Sequence, residues 1–381
     1  MNCLVRRLWL WMAVLLVLGA CRPGLQEVAS TPTAAPKPAS ELRLFWVNSF
    51  TSDDPWALGI RTGILEGLAR EGYNTAEGTL VWQAFDFDFL KVSNAGDLGP
   101  VADEAIAAIQ VFQPDLVIVS DDEAAQVVIP RFPDPTLPFV FCGLSGDPKQ
   151  YDLLRPNVTG VLERLQPLQT VAMARAFVEG AGDVLLLSDD SPTGLAGAAD
   201  VYAALKQGYP EAPEPMLRVT GRWSSWKAAV RSESPNVDFI LLVSNLAVFD
   251  EDGRHIEDAE LMSWMLENSP VPVFALTNQA VSNGAVGGLV GDGEAQGNAA
   301  AQLALQIVRG AHPSSLMPVL PPRNLLVINL PAARNWGLRI PIAFPIAARV
   351  YRTLPKPVSQ PSSGLIVPGG TSWTQNLQGG R

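Results

Sequence analysis

Residues 271–310 read VPVFALTNQAVSNGAVGGLVGDGEAQGNAAAQLALQIVRG, and this stretch indicates the fold. An apolar run over 271–276 ends at the polar residues Thr277 and Asn278. A second short run, 285–290, leads through a glycine-rich turn into an amphipathic helix pattern. Apolar strands that pass into amphipathic helices are the repeating unit of an open parallel α/β sheet. Such sheets bind ligands beyond the carboxyl ends of their strands.

The same alternation continues on the N-terminal side of this stretch. Strand-like runs occupy residues 42–47, 82–85, 116–119, 139–141, 184–187 and 239–243. Helical patterns occupy residues 56–71, 101–112, 171–177 and 195–206. Two successive blocks of this alternation predict two similar α/β lobes. With 381 residues and 48% hydrophobic side chains, the chain is large enough for two such domains.

Small polar residues follow nearly every predicted strand. In parallel sheets these strand ends share one edge, so two facing lobes would line a cleft with hydroxyls, amides and carboxylates. Each residue taken singly fits a helix N-cap at least as well, and only the collective placement favours a binding site. The predicted ligand-binding residues are Ser49, Phe50, Thr51, Trp56, Ser120, Asp121, Gly143, Ser145, Asp147, Asp189, Asp190, Ser191, Ser244, Asn245, Thr277, Asn278 and Asp292.

Carboxylates at these strand ends favour an amine-bearing ligand. The amine is expected to meet one of Asp121, Asp189 or Asp190, and a ligand carboxylate would meet backbone N–H groups at helix starts. An aromatic side chain, Trp56 or Phe50, is expected to cover an apolar part of the ligand. Trp56 fits the first core position of its helix equally well.

The N-terminus has the pattern of an export signal. Arg6 and Arg7 precede an apolar run over 8–18, which is about half the length that spans a bilayer. The following residues, 18–21, resemble the lipobox of bacterial lipoproteins, which implies removal of residues 1–20 and lipidation of Cys21. A Pro/Ala/Thr-rich tether, 21–41, and a disordered tail, 353–381, are expected to flank the folded region.

Composition argues against several other functions. A net charge of −11 without a Lys/Arg cluster argues against nucleic acid as a partner. Beyond the signal and the lipidated cysteine, His255, His312 and Cys142 have no zinc-ligand spacing. The glycines of 291–297 do not match G-x-G-x-x-G, and the chain has no G-x-S-x-G nucleophile elbow. No metal, cofactor or catalytic residue is therefore predicted, and the protein is not expected to be an enzyme.

Five segments carry a family resemblance by their order and spacing. They are PWALGIRTGILEGLAREGY (55–73), LPFVFCGLSGDP (137–148), NVTGVLE (157–163), GDGEAQGNAAAQLALQIVRGAHP (291–313) and LLVINLPAARNWGLRIP (325–341). Over about Leu42 to Arg352 the chain resembles the ABC transporter substrate-binding protein family that includes the binding proteins of tryptophan- and tyrosine-type importers. Two departures are the loop 143–148 and the acidic pair Asp53 and Asp54, which have no place in the family pattern.

The resemblance implies an α/β, type I periplasmic-binding fold, with two Rossmann-like lobes joined by three crossing strands. The implied first lobe comprises 42–145 and about 291–315. The second comprises 146–290 and about 316–352. The glycines at 291–293 are expected at the third crossing.

The implied function is capture of a small polar solute, an amino acid or another amine-bearing solute, for an ABC importer. The protein would be a monomer on the extracytoplasmic face of a bacterial cell envelope, lipid-anchored through Cys21. Its partners would be the ABC permease and ATPase subunits. Two alternatives remain open: a receptor of the same fold coupled to a membrane sensor kinase, and a hydrolase that uses an acidic cleft residue.

Overall fold

The computed structural model describes residues 41–93 and 97–354. The predicted signal peptide, the tether up to residue 40, Cys21 and the tail after 354 lie outside these ranges. Within them, each helix is either too short or too polar to traverse a lipid bilayer.

The first sheet contains five parallel strands in the order β2-β1-β3-β4-β5. Its strands are β1 (Leu42–Asn48), β2 (Leu80–Asp86), β3 (Leu116–Ser120), β4 (Phe139–Leu144) and β5 (Val158–Leu162). Its helices are α1 (Pro55–Ala69), α2 (Phe89–Ser93), α3 (Gly99–Phe112) and α4 (Asp121–Val128). Successive side chains of a strand point to opposite faces. Leu44 and Trp46 of β1 accordingly belong to one core cluster, and Phe45 and Val47 to another.

The second sheet is also parallel, in the order β7-β6-β8-β9. Its strands are β6 (Val184–Ser188), β7 (Met216–Val219), β8 (Phe239–Ser244) and β9 (Val273–Ala275). Its helices are α5 (Pro167–Phe177), α6 (Pro192–Gly208), α7 (Trp223–Glu233), α8 (Asp258–Asn268) and α9 (Asn278–Asn283). Strand β8 is apolar and buried along its whole length, as expected for a parallel strand covered on both faces.

A third, smaller sheet completes the second lobe. Strand β10 (Gly287–Val290) pairs antiparallel with β11 (Leu325–Asn329), which pairs parallel with β12 (Arg349–Tyr351). The remaining helices are α10 (Gly293–Val308), α11 (Leu330–Asn335) and α12 (Ala343–Ala347). Short 3-10 turns span Ser234–Asn236 and Pro313–Ser315. The predicted α/β class, with parallel sheets in two lobes, is confirmed.

Helix α10 follows a strand of the second lobe but packs against α1 of the first. Two glycines bring the helix backbones into close contact. A Cβ atom added to Gly63 would lie 2.0 Å from the Glu294 carbonyl oxygen, and one added to Gly297 would lie 2.0 Å from the Ile60 carbonyl oxygen. Ala300, Ala301 and Ala304 share a core cluster with this part of α1. The chain therefore returns to the first lobe through a tight helix pair.

The chain passes between the lobes three times, after β5, after β10 and after α10. The exact lobe boundaries stay a prediction. Strand β5 lies beyond the expected boundary at residue 145, and it pairs with β4 in the first sheet. The crossing after β10 contains Gly291 and Asp292, and it is the second of the three rather than the expected third.

Candidate functional site

A cavity of about 210 Å³ lies between the lobes, at the carboxyl ends of both parallel sheets. Eight of the predicted binding residues line it. Those from the first lobe are Phe50, Trp56, Asp121 and Ser145, those from the second are Ser244, Thr277 and Asn278, and Asp292 lies at the crossing. The edge position that parallel sheets impose thus brings residues from distant parts of the chain to one space.

The other predicted residues of the first lobe lie outside this cavity. Ser49 is buried behind it, where its Oγ donates to the Ser120 carbonyl oxygen at 2.7 Å and accepts from the Ala124 N–H at 3.0 Å. The Ser120 hydroxyl accepts from the Trp46 indole N–H at 3.2 Å. Thr51 and Asp147 are exposed. The two buried serines hold strand ends and the start of α4 in place.

Asp189, a candidate for the ligand amine, is fully buried and has its hydrogen bonds within its own lobe. Its Oδ1 accepts from the Ser191 N–H at 2.9 Å. Its Oδ2 accepts from the Ser244 hydroxyl at 2.5 Å and the Leu246 N–H at 2.7 Å. A carboxylate has about four acceptor positions, and three of them are occupied here. Through its bonds to Ser244 and Leu246, Asp189 orders the loop after β8.

Three further predicted residues also lie outside the cavity. Ser191 caps helix α6, accepting from the Gly194 N–H at 3.0 Å. Asn245 donates to Asp258 Oδ1 at 2.5 Å. Asp190, another amine candidate, is exposed. Among the three carboxylates considered for an amine, only Asp121 lines the cavity.

Asp121 is the first residue of α4, and it is 4% exposed. Its Oδ1 accepts from the Trp56 indole N–H at 2.8 Å. Its Oδ2 is buried and has no hydrogen-bond partner within the described ranges. Burial, followed by the negative charge of Glu123, raises the pKa of Asp121 well above its usual value. A buried carboxyl oxygen without a partner is costly, so the position favours a ligand that donates to it.

Glycines hold the Trp56 ring in place. Gly143 has a positive φ of 68°, and a Cβ atom added there would lie 2.5 Å from Asp121 Oδ1. On the other side, a Cβ atom added to Gly291 or to Gly293 would lie 3.2 Å from the Trp56 ring. Trp56 is half-buried, packs against the core of the first lobe and lines the cavity. Trp56 therefore belongs both to the core of the first lobe and to the cavity wall.

Glu163 lines the cavity and was not among the predicted residues. It follows β5, so the strand-end argument applied elsewhere also points to it. No side-chain hydrogen bond to its carboxyl group is formed in the described part of the chain. Withdrawal from water, and then the negative charge of Asp122, raises its pKa to about 8, against the opposing effect of Arg164. Glu163 is therefore a second acidic group open to a ligand.

Behind Asp121, two carboxylates of α4 contact the second lobe. The Thr193 hydroxyl of α6 donates to Asp122 Oδ2 at 3.2 Å, and the Thr193 N–H donates to Glu123 Oε1 at 3.3 Å. Asp122 also accepts from the N–H groups of Ser145 at 2.9 Å and Gly146 at 2.7 Å. Burial, and then Asp122, raises the pKa of Glu123 to about 8. The start of α6 thus closes one side of the cavity.

Asp54 joins the lobes on the opposite side. Its Oδ1 caps α1 by accepting from the Trp56 N–H at 2.8 Å and the Ala57 N–H at 3.0 Å. Its Oδ2 accepts from the Gln279 amide at 3.0 Å. Because Gln279 belongs to α9 of the second lobe, this bond closes the second side. The acidic pair that departed from the family pattern thus supplies one inter-lobe contact.

Negative charge predominates around the cavity. The acidic residues that line it are Asp54, Asp121, Glu163, Asp292 and Glu294. Asp292 Oδ2 is paired with Arg323 Nε at 2.7 Å. Among the described residues, Arg349 is the sole Lys or Arg that lines the cavity, and it is exposed. No group of three or more potential metal ligands is present in the described ranges.

Fold and cleft together define a two-lobed α/β protein with a cavity between its lobes. Residues 245–349 match the family model described as ABC transporter substrate binding protein. The predicted resemblance to the ABC transporter substrate-binding protein family is thereby confirmed over these residues. No curated protein matches the chain significantly.

Solved structures show the same fold. A conserved domain protein of Vibrio cholerae is 20% identical with a TM-score of 0.65, covering 82% of this chain and 100% of its own. An ABC domain from Streptococcus pneumonia, in complex with L-Trp, is 19% identical with a TM-score of 0.65 and the same coverage. A ligand-free, open substrate binding protein of Clostridium difficile is 15% identical with a TM-score of 0.63, covering 82% and 99%. The predicted type I periplasmic-binding fold is confirmed.

Proposed function

We propose that the protein captures a small organic solute that carries a positively charged amine, and that the amine binds Asp121. The observation that carries this proposal is the buried Oδ2 of Asp121, a cavity-lining residue, because this oxygen has no hydrogen-bond partner in the described ranges. A cationic N–H donor would satisfy this oxygen and favour ionisation of the carboxyl group. The excess of acidic over basic residues around the cavity supports the same sign of charge.

The apolar part of the solute is proposed to lie against Trp56. Its indole N–H is fixed by Asp121, and glycines confine its ring. Phe50, Leu246 and Leu276 supply further apolar surface on the cavity wall. Binding sites of this kind combine an apolar lining with a few placed polar groups. The L-Trp in the Streptococcus pneumonia protein, which shares the fold, is consistent with an amine-bearing aromatic solute.

We propose that the importer recognises the form of the protein whose lobes have closed around the solute. The Thr193 and Gln279 contacts form only when the lobes approach each other. A solute that touches both lobes stabilises the closed form by its difference in affinity for the two states. The family match supports delivery of the solute to the permease and ATPase of an ABC importer.

The protein is further proposed to be a monomer anchored by lipid at the extracytoplasmic face. The support is the sequence Leu18 to Cys21 at the end of an apolar signal. Metabolic labelling with palmitate tests the anchor. Labelling is expected for the full chain and absent after Cys21→Ser, and equal labelling of both would contradict lipidation at this residue.

A thermal-shift screen of amines, amino acids and aromatic acids, followed by calorimetry, tests the binding proposal. A solute at one hundred times its Kd should stabilise the protein by about 2.7 kcal/mol. Asp121→Asn is expected to weaken binding of any cationic hit by about 2–5 kcal/mol, because it removes one partner of a buried charged pair. Asp190→Asn, which alters an exposed carboxylate outside the cavity, is the matched control and should bind like the wild type. Unchanged affinity in Asp121→Asn would refute the assignment.

A further inference from the structure

We propose that Glu163 makes the cavity selective for cations that lack a carboxylate beside the positive charge, such as arylalkylamines or alkylguanidines, over the corresponding α-amino acids. This inference rests on the proposed binding of an amine at Asp121. It concerns the neighbouring group that decides which amines are accepted.

Glu163 lies close to the glycine that confines the Trp56 ring. Its carboxyl group lies against the crossing after β10, where a Cβ atom added to Gly291 would be 2.3 Å from Glu163 Oε1. The same glycine confines the Trp56 ring, whose indole N–H is bonded to Asp121. Glu163 and Asp121 therefore both lie near one tryptophan and line one cavity. A solute held at Asp121 and Trp56 has Glu163 as a near neighbour.

Both positive and negative groups lie near Glu163. The nearest cation in its sequence, Arg164, directs Nη1 to the carbonyl oxygens of Ser145 at 3.0 Å and Glu163 at 2.6 Å. The negative charge of Asp122 raises the pKa of Glu163, and the charge of Glu163 in turn contributes to the raised pKa of Asp121. Within the described ranges no donor hydrogen-bonds the Glu163 carboxyl group. A cationic solute could therefore pair with this carboxyl group.

The charges on the solute determine how it interacts with Asp121 and Glu163. A cation without a carboxylate compensates both acids, and an ionised Glu163 then binds it by a charge-assisted hydrogen bond. An α-amino acid bears its carboxylate next to its amine, so anchoring the amine at Asp121 brings a like charge towards Glu163. Arg349, which also lines the cavity, is exposed on β12 of the second lobe. Discrimination against a bound carboxylate follows from the position of Glu163 near the proposed amine site.

Calorimetry with matched pairs tests the inference. The probes are tryptamine with L-tryptophan and agmatine with L-arginine, titrated into the wild type, Glu163→Gln, Asp121→Asn and Asp190→Asn. In at least one pair the wild type is expected to bind the decarboxylated probe tenfold or more tightly than the amino acid. Glu163→Gln removes the charge with little change in shape, so the preference should fall to near one, chiefly through weaker binding of the amine. Asp190→Asn should keep the wild-type ratio.

The variants separate the two proposals. A wild-type preference for the amino acids, or an unchanged ratio in Glu163→Gln, overturns the role of Glu163. If Asp121→Asn still weakens both members of a pair in that case, the proposed amine site stands on its own. If no probe binds the wild type, or if Asp121→Asn leaves every affinity unchanged, both proposals fall.

Discussion

Glu163 is a cavity-lining acid whose ionisation affects the stability of the fold. It is partly buried, lies close to the charge of Asp122, and has a pKa raised from 4.5 to about 8. A carboxyl group whose pKa is higher in the folded than in the unfolded state binds protons preferentially in the folded state. Its contribution to stability is therefore full below pH 4.5 and is lost as the pH rises to about 8.

Glu163→Gln should stabilise the empty protein at alkaline pH. Because glutamine carries no charge, the variant avoids the cost of ionising this group, and we expect an increase in unfolding free energy of about 1–3 kcal/mol at pH 8. At pH 4.5 the two proteins should differ little. Denaturant unfolding at both pH values checks this, with Glu104→Gln on the exposed face of α3 as control. A gain in stability that is equal at both pH values would contradict the assignment.

Two identical tripeptides show what residue patterns do and do not predict. Ser-Asp-Asp follows β3 at 120–122 and follows β6 at 188–190. Asp121 adopts a positive φ of 69° and faces the cavity with one oxygen unpaired. The equivalent Asp189 accepts hydrogen bonds from Ser191, Ser244 and Leu246. The difference depends on the loop after β8, which is distant in sequence from Asp189. The strand-end pattern alone therefore does not predict which of the two aspartates keeps an unpaired oxygen.

At the scale of elements, the strand-like runs correctly predict most of both parallel sheets. Strands β1, β3, β4, β6 and β8 are apolar and almost wholly buried, and such runs are visible in sequence. Strands β7 and β12 lie at sheet edges, are short and carry partly exposed side chains, so no apolar run marks them. Because β5 was missed as a strand, Glu163 at its end was missed as a cavity residue.

The contact between α1 and α10 sets the position of the crossing that confines Trp56. Gly63→Ala would place a Cβ atom 2.0 Å from the Glu294 carbonyl oxygen, where backbone has to move. We expect a loss of about 1–3 kcal/mol in unfolding free energy, together with weaker solute binding. Gly182→Ala is the control, since its nearest contact would be 3.9 Å. Denaturant unfolding of both variants checks this, and equal stabilities would contradict the close packing of the two helices.

At the scale of the whole molecule, the lobes meet on both sides of the cavity. Thr193 reaches Asp122 and Glu123 on one side, and Gln279 reaches Asp54 on the other. The family resemblance implied such a two-lobed clamp, and the structure and the family match confirm the fold. Composition and periodicity did not reveal these contacts, because each joins residues that are 70 or more positions apart in the chain.

The central claim is that a cationic amine binds Asp121 in the cavity between the closed lobes. A crystal structure of the protein with the tightest-binding amine from the screen tests it most directly. The amine nitrogen is predicted to lie about 3 Å from Asp121 Oδ2, with the apolar part of the solute against Trp56. A solute whose nitrogen lies away from Asp121, or whose carboxylate occupies this position, would contradict the account.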